Sequence, residues 1–151
     1  MPTIAELMTR DHRDCDHDFA AAESLVAEKR WDEAARALST LSGVLEAHFA
    51  AEEQILFPRF EAATGMSQGP TAMMRLEHEE MRATLERMRA ALMQHDGDDF
   101  AGEAETLLIL MQQHNMKEEH ILYPMCDAHL AAEVGALTQA LDARLHREVG
   151  A

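Results

Sequence analysis

The chain has 151 residues, with 13 Lys+Arg against 28 Asp+Glu and a formal net charge of −15. That length suits one domain with a core of ordinary size, and a hydrophobic share of 47% excludes a disordered chain despite the charge. Acidity without any basic stripe argues against nucleic acid as a partner, and apolar runs such as residues 107–111 fall far short of the roughly 20 residues that cross a bilayer.

Aromatic residues make up 5% of the chain and Ala, Leu, Met, Glu and Arg dominate, a helix-forming composition poor in the residues that strands favour. Thr3 stands as the cap of a first helix reaching about Lys29. Trp31-Asp32 opens a second, which runs to about Ala63 and stops at Thr64-Gly65. Ser67-Gln68-Gly69-Pro70 leads into a third that ends near Gln94, and the turn His95-Asp96-Gly97-Asp98 precedes a fourth over about 99–127. A shorter helix is predicted over 131–145. Apolar residues keep helical spacing, as with Ile4, Leu7, Met8, Cys15, Phe19 and Ala22 in the first segment and Met74, Met81, Leu85, Met88 and Leu92 in the third. The expected fold is all-α, an up-down-up-down four-helix bundle over about 3–127 with a C-terminal extension over about 130–147, in one domain spanning 1–151. The eleven Met residues read as flexible core filler. Residues 1–6 lack the basic start of a signal peptide, and Cys15 and Cys126 form no C-x-x-C motif. Together these point to a reducing cytoplasm.

An internal repeat organises the chemistry. His12 maps onto His78 at an offset of 78 − 12 = 66, and the same offset maps His48 onto His114, Glu52-Glu53 onto Glu118-Glu119, Ile55-Leu56 onto Ile121-Leu122, Phe57 onto Tyr123 and Pro58 onto Pro124. Two related helix hairpins are expected, each with a lone His followed by H-x-x-x-E-E-x-I-L-[FY]-P. Residues four apart lie about 40° apart on one helix face, so each such imidazole and carboxylate point to the same place. Two helices so equipped, with His12 and His78 from the other two, bring four His and two Glu to one volume. Imidazole and carboxylate together select cations such as Fe, Mn or Zn. Six groups suit a pair of ions, each held by two His and sharing two bridging carboxylates. Charged groups facing into a bundle need such partners.

At these residues the sequence resembles the hemerythrin-like (HHE cation-binding) family. The matching pieces are Asp11-His12-Arg13, His48-x-x-x-Glu52 ending in Leu56-Phe57-Pro58, Glu77-His78, and His114-x-x-x-Glu118 ending in Leu122-Tyr123-Pro124. The resemblance covers roughly residues 4–127 and implies a four-helix bundle with an oxo- or hydroxo-bridged non-haem di-iron centre. The implied ligands are His12, His48, Glu52, His78, His114 and Glu118. The oxygen-carrying members place a further His four residues after the one in helix three, where this chain has Arg82, and use a longer spacing in helix four. The pattern is closer to bacterial members linked to nitrosative stress and iron-centre repair. The function this implies is binding of iron and of a diatomic ligand, dioxygen or nitric oxide, for gas or iron sensing or a stress response. The alternatives are a di-iron redox enzyme of peroxidase or nitric oxide reductase type, which would need a redox partner, and a metal-free helical module. The ferritin-like pattern Glu-x-x-His is absent from the sequence, and no residue beyond the ligands forms a convincing acid–base pair.

The remaining polar candidates read as follows. His17 lies five residues past His12, about 140° around the helix, and is expected outside the site. Asp16 is a candidate hydrogen-bond partner of His12, and Cys15 is read as core, with a redox role as its alternative. Glu53 and Glu119 are expected behind the ligands or on the surface, and His95, His120, His129 and His146 on the surface. Tyr123 reads by default as packing, because Phe57 holds the equivalent place, with a hydrogen bond toward a bound oxo species as its alternative. Pro58 and Pro124 are expected to kink or end their helices.

Overall fold

A computed structural model describes residues 2–146; Met1 and residues 147–151, which the domain expected over 1–151 and its extension to about 147 take in, lie outside the described residues. The described residues are helical and contain no strand, as composition led one to expect. The elements are α1 (Ile4–Ala27), α2 (Trp31–Ala51), a π-helical turn (Glu52–Leu56), α3 (Phe57–Thr64), α4 (Pro70–Met93), α5 (Gly97–Lys117), a second π-helical turn (Glu118–Leu122), α6 (Tyr123–His129), a 3-10 turn (Ala131–Glu133) and α7 (Val134–His146). Each π turn splices the helices on either side of it, so α2–α3 and α5–α6 are continuous rods. Neighbouring rods pack α1 on α2, α4 on α5, α2 on α4 and α1 on α5, while α7 lies against α1 and α2.

The repeat holds throughout. Adding 66 to the bounds of α1, α2, the first π turn and the start of α3 gives those of α4, α5, the second π turn and the start of α6. Both hairpins close alike. The Arg30 N–H reaches the Leu25 carbonyl at 3.0 Å and the Lys29 N–H that of Val26 at 2.9 Å; Asp96 and His95 repeat this on Ala91 and Leu92, each at 3.0 Å. This crossed pair of bonds satisfies the last carbonyls of a helix and needs one left-handed residue, here Lys29 (φ 58°) and His95 (φ 53°). Trp31 stacks on the His95 ring, with centroids 4.7 Å apart and planes 5° apart, joining the two closures.

The start of α1 is satisfied from two sides. Thr3 and Glu6 form a capping box, each side chain accepting from the other's backbone N–H at 3.0 Å. The N–H groups of Ile4 and Ala5 donate to Asp127 Oδ1 and Oδ2 at 2.8 and 3.1 Å, which ties α1 to α6 across the whole chain. Asp127→Ala is expected to cost about 1–2 kcal/mol, the usual worth of a capping side chain plus its charge at a helix N-terminus, seen as a lower urea midpoint at unchanged slope.

The apolar interior is split into two clusters. Phe19, Leu41, Phe49, Met88, Phe100 and Leu107 belong to one. Ile4, Met8, Leu56, Phe57, Phe60 and Leu141 belong to the other. At one level between them every long rod changes from apolar to polar buried residues: Asp11 and His12 in α1, His48 and Glu52 in α2–α3, His78 in α4, His114 and Glu118 in α5–α6.

Candidate metal centre

The six residues singled out by the repeat meet in that layer. His12 is 4% exposed, His48 and His114 are 2%, and His78, Glu52 and Glu118 are 0%. The rings of His12 and His48 stand 4.7 Å apart, and those of His78 and His114 stand 5.0 Å apart. Each hairpin therefore contributes one histidine pair, and the carboxylates cross over. Glu52 reaches His78 Nε2 at 3.0 Å, and Glu118 reaches His12 Nε2 at 3.0 Å. Within their own rods Glu52 lies 3.5 Å from His48 Nε2 and Glu118 lies 3.2 Å from His114 Nε2.

All four imidazoles are held from behind. Nδ1 of His12 meets Glu119 at 2.7 Å and that of His78 meets Glu53 at 2.6 Å. Nδ1 of His48 meets Asp11 at 2.6 Å and that of His114 meets Glu77 at 2.8 Å. These carboxylates also obey the repeat, since 11 + 66 = 77 and 53 + 66 = 119. A carboxylate on Nδ1 keeps the proton there and leaves the Nε2 lone pair facing inward, the tautomer that binds metal. Glu53 and Glu119 thus stand behind the histidines of the opposite hairpin. Asp11 and Glu77 were not assigned a role from sequence, although both acids are paired by the 66-residue offset. The exposed Asp16 does not take the place proposed for it: Glu119 holds His12 instead.

Tyr123 corrects the packing expectation. Its hydroxyl is fully buried and lies 2.6 Å from Glu52 Oε2, 2.8 Å from Glu118 Oε1 and 3.2 Å from Nε2 of both His12 and His48. Burial first, then the charges of Glu118 and Glu52, hold its pKa well above the ordinary phenol value, so it keeps its proton among these groups. In the other half Phe57 occupies the matched position, its ring stacked 5.9 Å from that of His78. In an unbroken α-helix Tyr123, nine residues past His114, would lie on the opposite side, because nine steps of about 100° end near 180°. The π turn takes an extra residue per turn and swings it back toward the site.

The same turns explain why the prolines neither end nor break their rods. The Phe57 N–H bonds back to the Glu52 carbonyl, one residue further than in an α-helix. Pro58 has no N–H to give, and the Glu53 carbonyl accepts from Arg75 Nη1 at 3.3 Å instead. Tyr123 and Pro124 follow the second turn in the same way.

Among the described residues two sets of donor atoms, each within 4.8 Å of one another, could hold an ion: Glu52, His78, His114 and Glu118 in one, and His12, His48 and Glu118 in the other. The residues fit such a group on a further count. Glu52 Oε1, Glu118 Oε2, His78 Nε2 and His114 Nε2 are buried with no hydrogen-bond partner, a costly condition unless something binds there. His78 Nε2 and Glu52 Oε1 are 3.0 Å apart without hydrogen-bond geometry, close to the separation of two neighbouring ligands about 2.1 Å from one ion. Burial works against a charged His114, yet Glu118, Glu52 and Glu77 outweigh it and raise its pKa to about 9; the inward carboxylates thus favour positive charge at this nitrogen, a proton or, in its place, a cation.

The description hemerythrin HHE cation-binding domain matches residues 3–126. The chain belongs to the hemerythrin HHE cation-binding family. No curated protein and no solved structure matches it. In this hemerythrin-family protein the other histidines stay outside the centre: His17, His95, His120, His129 and His146 are exposed. Cys15 and Cys126 are free and buried. Cys15 packs with Phe19 and Leu41, and burial, reinforced by Asp11 and Asp18, keeps its thiol well above the ordinary range. Burial, with Glu52 and Asp127, pushes Cys126 up to about 12. Neither is an available redox thiol at neutral pH.

Proposed function

We propose that the protein holds two iron ions and binds a diatomic ligand, dioxygen or nitric oxide, in gas or iron sensing or a stress response. In this reading the chain forms a four-rod bundle, His12 and His48 would hold one ion and His78 and His114 the other, and Glu52 and Glu118 would serve as carboxylates shared by the pair. The observation that carries it is the convergence of four inward-facing Nε2 atoms and two carboxylates in one buried layer, with every Nδ1 tied to an acid behind it. Manganese or zinc would suit the same donors. When bound, an iron pair supplies open positions for a small ligand and one-electron redox chemistry. The chain's own groups keep water out and fix the tautomers, and Tyr123 holds a proton at the centre.

That buried phenol supports a second reading, a peroxidase or nitric oxide reductase drawing on a redox partner, since such an enzyme needs a proton donor at the site. Both readings place the protein in a reducing cytoplasm. No helix among the described residues is long and apolar enough to cross a membrane. The test is metal content with ultraviolet–visible spectra of protein made with iron, before and after His114→Ala. Two irons per chain and a near-ultraviolet band of a bridged di-ferric pair, both diminished in the variant, are expected. Protein without metal and without that band overturns the reading. Nitric oxide or dioxygen added to the reduced form then separates a lasting adduct from turnover.

A further inference from the structure

The acids behind the four histidines are not equivalent. Glu53, which holds His78, receives both outer nitrogens of Arg82, Nη1 to Oε2 and Nη2 to Oε1, each at 3.1 Å. Glu77, which holds His114, is paired with Lys117 Nζ. The repeat puts Asp16 where Arg82 would recur (82 − 66 = 16) and Ala51 where Lys117 would (117 − 66 = 51). Among the described residues no Lys or Arg comes within ion-pair distance of Glu119 or Asp11, which hold His12 and His48. The directly paired cations are thus confined to one half of the centre, while Arg13 and His120 act on Glu119 only from beyond pairing distance. Arg82 also meets Glu46 and Glu79, but those carboxylates are 54% and 70% exposed, against 22% for Glu53, so solvent screens them while the inner contact keeps its strength.

An acid on Nδ1 draws on that proton and makes Nε2 a stronger donor, and a cation on the acid weakens the draw. We propose that Arg82 and Lys117 act as positioning residues that make the two halves unequal, so that the His12–His48 half favours the ion of higher charge and the His78–His114 half the ion that is reduced first. Tyr123 adds a second difference between the halves, since its hydroxyl, bonded to Glu52 and Glu118, also lies 3.2 Å from His12 and His48, while the matched Phe57 offers His78 only a ring face.

This inference rests on the di-iron reading, and potentiometry separates the two. Dithionite supplies electrons one at a time, each lowering the charge of one ion from three to two while dithionite is oxidised. Iron-loaded protein is expected to be reduced in two resolved steps. Arg82→Gln and Lys117→Met should each shift the first step at least tenfold against reduction, about 59 mV downward for a one-electron couple, and move the second less. Arg82→Lys should recover part of the shift. Asp16→Arg, an exposed substitution that installs the missing cation, should raise the second step and narrow the gap, which keeps the test open if a bundle-facing variant folds poorly. Arg89→Gln, in an exposed pair with Glu86, is the control. Two irons with a first step unmoved by loss of either cation, or a gap unchanged by Asp16→Arg, overturn the inference and leave the di-iron reading standing. Absence of bound iron overturns both.

Discussion

Glu118→Ala is expected to leave the protein without stably bound iron. Glu118 is the one side chain present in both sets of donor atoms, touching His12 and His114 from the two hairpins at 3.0 and 3.2 Å. Its loss removes a ligand from each ion at once. His12→Ala strips one half and should retain about one iron per chain. Glu119→Ala leaves every ligand in place and only frees the His12 ring, so it should weaken binding about 10- to 100-fold, the usual worth of a group behind a ligand. His17→Ala, on the exposed side of the same helix, should change nothing. Iron per chain after gel filtration, with far-ultraviolet circular dichroism as the check on folding, ranks the four. Equal iron in Glu118→Ala and the parent chain would refute the bridging assignment.

The convergence of the six groups was legible because two physical regularities coincide in them: the four-residue spacing that puts His and Glu on one helix face, and an offset of 66 that repeats it with a lone histidine attached. The helical class was equally open to reading, from composition and apolar spacing. The hidden parts are those that depend on contacts across rods or on a local change of helix pitch. Nothing in the sequence near Glu53 says that it will stand behind His78 rather than in solvent, because that depends on how the hairpins cross. The repeat points the wrong way at Tyr123, because Phe57 in the equivalent place carries no hydroxyl, and only the π-helical turn before Tyr123 brings its phenol round to the site. The proline in each repeat was the available signal: a rod that passes through Pro58 without ending must arrange the turn before it differently. Which half carries the cations was also in the sequence, since Arg82 faces Asp16 across the repeat, but the asymmetry acquires meaning only once Glu53 and Glu77 are seen to meet Arg82 and Lys117.

Metal removal should have the largest effect on stability. Stripped of ions, the layer confines Glu52 and Glu118, both 0% exposed, with an oxygen each unsatisfied, beside two imidazole nitrogens in the same condition. Binding to the folded state alone adds RT ln(1 + [L]/Kd) per site, about 4 kcal/mol for each ion at a thousandfold excess of free metal over Kd. A domain of this size gains about 2–4 °C per kcal/mol, so anaerobic loading with ferrous iron should raise Tm by about 8–16 °C for each ion bound. Glu52→Gln with Glu118→Gln keeps the shape of the layer and removes its charge, and in that variant the loaded-minus-stripped difference should fall close to zero. The stripped variant itself should melt near or above the stripped parent, because two neutral amides are cheaper to bury than two incompletely paired carboxylates. Differential scanning calorimetry of the four samples distinguishes this from a layer that merely packs. A purely structural layer would show no response to iron in the parent chain and a large loss of stability in the double variant, the reverse of the pattern that a site built to hold cations must give.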